Sequence, residues 1–152
     1  MARTSVDAVL TASRALVGVA ARSLAETEDT VTLVQYRALV LLASQGDINV
    51  GNLAEALGVH QSTASRLCDR LVARGLVDRD LAPDNRREVV VSLTNAGEDL
   101  IHTVTARRRA EIEEVLARVK PKDRAAITSA LLLFADAAGE APDDAWKLGW
   151  TT

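Results

Sequence analysis

The stretch GVHQSTASRLCDRLVARG, residues 58–75, decides the fold. It sets Arg66, Arg70 and Arg74 four residues apart, so the three lie along one strip of a helix. At 100° per residue, Ala64, Leu67, Cys68 and Leu71 gather on one side, which belongs in a core. The opposite side carries Ser62, Arg66, Asp69 and Ala73, flanked by Ser65 and Arg70, with Gln61 and Thr63 at the amino-terminal end. Short hydroxyl side chains let such a helix approach the major groove of B-form DNA closely, and Gln and Arg can then reach base edges. Its amino terminus also favours a phosphate. Arg70 and Arg74 lie farther along, where phosphate contact is expected rather than base reading. Taken alone, the same spacing also describes the solvated face of an amphipathic helix.

The flanking segments separate these readings. Upstream, GNLAEAL at 51–57 forms a short helix with Leu53 and Leu57 one turn apart, and Gly58 supplies a left-handed residue at its end. Two helices joined by so tight a turn form a helix-turn-helix. The β-branched INV at 48–50 suits a brief strand pairing. Before it, VTLVQY carries a capping box of Thr32 and Gln35 with a staple of Val31 and Tyr36. That helix buries Leu39 and Ala43 and stops at Gly46. Downstream, LVDRD and EVVVSL are β-favouring runs separated by LAPDNRR, whose Pro83, Asp84 and Asn85 are turn formers. A hairpin after a helix-turn-helix is a wing. Arg86 and Arg87 at its tip are placed for an adjacent minor groove, whose negative potential attracts arginine.

Long helices flank this centre, so the expected fold is mainly α with a small β-hairpin wing. The first runs from Ser5 to about Ala25, with Val6, Val9, Leu10, Val17, Ala20 and Leu24 on one face. Thr94 caps another bearing Ile101, Val104, Ile112, Val115 and Val119, and Pro121 opens a last one with Ile127, Leu131, Phe134 and Ala138. In ARRRAEIEE the spacing predicts surface pairs Arg107–Glu111 and Arg109–Glu113. Beyond Gly139 the tail is acidic, then apolar; Trp146 and Trp150 are expected to dock on a partner subunit or close a pocket.

Charge points to the same surface. The 152-residue chain has a formal net charge of −3, yet residues 58–87 hold six arginines against four aspartates, leaving −5 for the remainder. An acidic protein with a locally positive face can bind DNA in a salt-sensitive way. The single cysteine, Cys68, cannot form an internal disulfide, and its apolar position suits packing, so a reducing cytoplasm is the expected compartment. Asp7, Arg14 and Arg22 interrupt the first apolar stretch, and no run approaches the roughly 20 apolar residues of a membrane span. His60 reads as a turn residue and His102 as structural; with no ligand cluster, triad or glycine-rich phosphate loop, neither metal, cofactor nor enzymatic activity is expected.

From TLVQYRALVLL through NLAEALGVHQSTASRLCDRLVARGLVDRD and the wing to VSLTNAGEDL, the chain resembles the MarR-type winged-helix regulators. The resemblance implies a homodimer held by helices within 5–30 and 94–139, a winged helix-turn-helix over 32–93 and a tail at 140–152. It also implies double-stranded DNA with an imperfect palindromic operator as partner, a repressor as the usual role, and release by a small-molecule effector. Gln61, Ser62, Thr63, Ser65 and Arg66 match the family's recognition helix, and Arg87 its wing arginine. Asn85 stands where the wing's Asp is usual: either Asp84 substitutes through a shifted turn, or the arginine is braced less firmly. His60 replaces a Ser-like cap. The alternative is a winged-helix protein-interaction module without DNA binding.

Overall fold

The computed structural model describes residues 4–27 and 31–146. Among these, six α-helices surround one small antiparallel sheet: α1 (Ser5–Ala25), α2 (Leu33–Gln45), β1 (Ile48–Asn49), α3 (Val50–Leu57), α4 (Gln61–Ala73), β2 (Val77–Leu81), β3 (Val89–Leu93), α5 (Asn95–Ala117) and α6 (Pro121–Ala137). A 3-10 turn at Asp143–Ala145 follows.

Local chemistry sets the helix starts. The Thr32 hydroxyl accepts from Gln35 N at 3.2 Å, and the Gln35 side chain accepts from Thr32 N at 3.0 Å, which completes the expected capping box. Thr4 and Asp7 form a second box at the head of α1, one the sequence reading passed over. Hydrogen bonds from Thr4 hold the Asp7 carboxyl below its usual range. Val50 was expected in the brief strand but opens α3, because the Asn49 side chain accepts from Asn52 N at 2.7 Å and caps a helix there. Only Ile48 and Asn49 remain to pair, with Val91 and Val90. The sheet order is β1-β3-β2, and β2 pairs along β3 from Val77 opposite Leu93 to Leu81 opposite Val89.

The core lies beneath the helix-turn-helix. Leu39, Leu42, Leu53, Leu71, Leu76, Val77, Val91 and Val104 are fully buried, and Val31 and Tyr36 join the same cluster. The base of α5 is pinned to the end of α4: Thr94 Oγ1 donates to the Gly75 carbonyl at 2.6 Å, and Thr94 N to the Leu76 carbonyl at 3.2 Å.

The outer helices depart from expectation. On α1 only Val19, Ala20, Ser23 and Leu24 are buried, while Val6, Val9, Leu10 and Val17 face outward. On α6 no residue is buried, and Leu131, Leu132, Leu133 and Phe134 are exposed. By length and composition α1 is also apolar enough to cross a bilayer, contrary to the sequence reading. Its carboxyl end is nevertheless packed against α5, where Arg22 pairs with Glu111. Arg107 lies 3.8 Å from Glu26. These bridges between helices take Arg107 and Glu111 away from the pair expected between them, because α1 brings opposite charges across a packed interface.

The tail returns to the domain. Glu140 forms a bidentate pair with Arg37 of α2 at 2.9 and 2.7 Å. Trp146, partly buried against the core, donates to the Ala141 carbonyl at 3.1 Å. Trp150 lies outside the described residues.

Candidate nucleic-acid interface

Gly58 adopts φ +66°, a left-handed conformation that costs glycine little, and this turns the chain sharply between α3 and α4. His60 is the amino-cap of α4 but its side chain makes no capping bond. The first-turn amides therefore point outward with no side-chain cap, the arrangement that favours an anion. Gln61, Ser62, Arg66 and Arg70 are exposed, whereas Thr63 and Ser65 are partly covered. Ala64, Leu67, Cys68 and Leu71 fill the opposite, buried face. Burial, foremost, pushes the Cys68 thiol up; Arg79 opposes that shift and Asp69 adds to it.

Arg86 and Arg87 are exposed on the loop joining β2 to β3. Backbone bonds hold this wing: Ala82 N donates to the Glu88 carbonyl at 2.8 Å and Glu88 N to the Asn85 carbonyl at 3.0 Å. The Asn85 side-chain oxygen accepts from Arg87 N at 3.1 Å. Asn85 thus braces the arginine's backbone, an acceptor role that needs no carboxylate. Asn49 ties the wing to the reading head as well, since its amide donates to the Glu88 carboxylate while its oxygen caps α3. A groove of about 400 Å³ runs between the start of α3, the side of α4 and the wing, lined by Asn49, Gln61, Ser65, Arg79 and Arg87.

Arg79 was not singled out from sequence as a functional residue. It pairs with Asp69 and donates to Ser65 Oγ at 3.0 Å, so a strand of the wing grips α4. The signal was available: Arg79 stands two residues after buried Val77 and therefore on the same, inward face of β2, while Asp78 and Asp80 point away. An inward arginine calls for a carboxylate.

A second, larger cavity of about 1040 Å³ separates the outer helices from the reading head, lined among others by Leu16, Val17, Tyr36, Arg108, Ile112 and Trp146. The Arg108 guanidinium lies 5.2 Å from the centre of the Tyr36 ring. Its Nε is buried with no hydrogen-bond partner among the described residues.

Comparison with known proteins agrees with this architecture. A sequence model of the MarR family matches residues 31–89. The crystal structure of RV1404 from Mycobacterium tuberculosis is 41% identical, with a TM-score of 0.85 over 93% of this chain and 99% of that one. The HTH-type transcriptional repressor NicR of Pseudomonas putida is 31% identical over 97 residues, 64% of this chain and 61% of its own. Bordetella bronchiseptica BpsR, whose DNA binding is regulated by 6-hydroxynicotinic acid, shares the fold at 23% identity and a TM-score of 0.65, over 88% of this chain and 94% of its own. With its winged helix-turn-helix, the exposed polar face of α4 and these relatives, the chain belongs to the MarR family of DNA-binding transcriptional regulators.

Proposed function

We propose that the chain is a cytoplasmic, homodimeric repressor that reads an imperfect palindromic operator and is released by a small acidic effector. The carrying observation is that Gln61, Ser62 and Arg66 on α4 are exposed together with Arg86 and Arg87 on the wing, around one groove. Gln61, Ser62, Thr63, Ser65 and Arg66 meet the major groove, Arg70 a phosphate, and Arg86 and Arg87 the flanking minor groove. Two such heads must be spaced about 34 Å apart to reach successive major grooves. The outward apolar faces of α1 and α6 support a second copy as the occupant of that surface.

The larger cavity supports the effector. Its walls are largely aliphatic and aromatic, and Arg108 and Arg109 of α5 line it, so a planar acid matches both. Such a ligand acts by favouring a dimer whose heads are wrongly spaced. A hundredfold fall in occupancy requires a preference for that form of about 2.7 kcal/mol.

The test is fluorescence anisotropy with labelled duplexes tiling the DNA upstream of its gene, at two salt concentrations. Arg66→Ala and Arg87→Ala are each expected to weaken binding to one tile at least tenfold, with secondary structure and dimer mass unchanged. Absence of salt-dependent binding even at low ionic strength, to these tiles and to duplexes enriched from a random pool, would instead favour the protein-docking alternative.

A further inference from the structure

We propose that Arg79 is a positioning residue for operator reading, which holds the Ser65 hydroxyl with its hydrogen left for DNA and neutralises Asp69 on the DNA-facing side of α4. The inference rests on the DNA-reading assignment above. Ser65 and Asp69 are one helical turn apart, and Arg79 reaches both from β2. Its side chain is 26% exposed and that of Asp69 63%, so the guanidinium is the more covered partner of the pair.

Two chemical consequences follow. A serine hydroxyl has one hydrogen to give and two lone pairs. Arg79 Nη2 donates to Ser65 Oγ, and among the described residues no acceptor takes the Ser65 hydrogen. Because the guanidinium donates, that hydrogen has to turn elsewhere, and the groove that Ser65 lines with Gln61 and Arg87 is open to it. Ser65 thereby offers its hydrogen to acceptors, either phosphate oxygens or the N7, O6 and O4 atoms of base edges, with one lone pair already taken by Arg79. The second consequence concerns charge. An unpaired carboxylate at Asp69 would repel phosphates, and pairing with Arg79 removes most of that repulsion. Because the guanidinium is already engaged, Arg79 itself neutralises no phosphate. The same side chain links wing to recognition helix, so Arg66 and Arg87 are held in a fixed relation.

The decisive variant is Asp69→Asn. Removing a negative charge from a DNA-binding face should tighten binding if Asp69 only repels; a positioning role requires the opposite sign. With a duplex enriched from a random pool by the wild-type homodimer, we expect Asp69→Asn to bind about tenfold more weakly. Arg79→Gln should lose a similar factor while keeping the wild-type slope of affinity against salt, and Arg79→Lys should recover part of it. Adding Ser65→Ala to Arg79→Gln should cost clearly less than Ser65→Ala does alone. Circular dichroism and sedimentation check fold and dimer, and if Arg79→Gln misfolds, the exposed Asp69→Asn still carries the test. Equal or tighter binding by Asp69→Asn, additive losses, or a salt slope reduced by about 0.9 in Arg79→Gln would overturn the proposal. If the wild type enriches no duplex at all, the regulator reading fails first and the clamp falls with it.

Discussion

Cys68 shows what burial does to a single reactive group. Its thiol is held in the protonated form by the apolar face of α4, so its folded pKa stands above that of the unfolded chain. The sign follows from proton counting: below about pH 9 both states carry the proton and the contribution to stability is complete. Above that the unfolded chain ionises first, and stability falls until the raised folded pKa is passed. Tyr36 shifts the same way, chiefly by burial, with Thr105 and Arg108 opposing. Urea midpoints are therefore expected to drop between pH 8 and pH 10, and Cys68→Ala to reduce that drop while lowering the midpoint at neutral pH. A wild-type midpoint that stays flat to pH 10 would count against the assignment. Sequence placed Cys68 correctly from its wheel position. It left open whether Asp84 substitutes on the wing or the arginine is braced less firmly, and offered no role for Asn85 as acceptor of the Arg87 amide, because that contact depends on the turn's actual dihedral angles.

Among elements, the junction of α4, β2 and α5 depends on Gly97. A Cβ built there would lie 2.2 Å from the Leu76 carbonyl oxygen and 3.0 Å from a Leu93 methyl carbon. Within a helix, Gly→Ala ordinarily gains about 1 kcal/mol. Here the clash is with backbone, and relieving it would displace the Thr94 bonds to Gly75 and Leu76. Gly97→Ala is expected to destabilise by about 2–4 kcal/mol net in urea denaturation. A neutral or stabilising result would mean that α5 can slide on the sheet. The Thr32–Gln35 capping box and the turn glycines were legible because they are chemistry between near neighbours. The pairing of Arg22 with Glu111 was not: helical spacing offers partners three or four residues away, whereas this one is 89 residues distant.

At the scale of the molecule, exposed apolar residues of α1 and α6 carry the proposal of a second copy. Leu132 and Leu133 are 62% and 72% exposed, and neighbouring Leu131 and Phe134 are open too. Changing Leu132 and Leu133 together to Glu would place two charges in the surface assigned to a second copy. We expect the dimer dissociation constant measured by sedimentation to rise at least a hundredfold, about 2.7 kcal/mol, and operator affinity to fall with it. An unchanged dimer would remove α6 from the interface.

What the amino-acid order determined by itself is the local grammar: helix periods, capping boxes, glycine turns and the hairpin after residues 58–75, each set by residues a few positions apart. From that the winged helix and the exposed face Gln61, Ser62, Arg66 and Arg70 could be read before any coordinates. Tertiary structure alone decided that Val6, Val9 and Leu10 are left outward, that Glu140 returns to Arg37, and which carboxylate and hydroxyl Arg79 meets. Periodicity identifies the apolar side of a helix but not what covers it, and a charged side chain many residues from its partner carries no mark of that pairing until packing brings the two together.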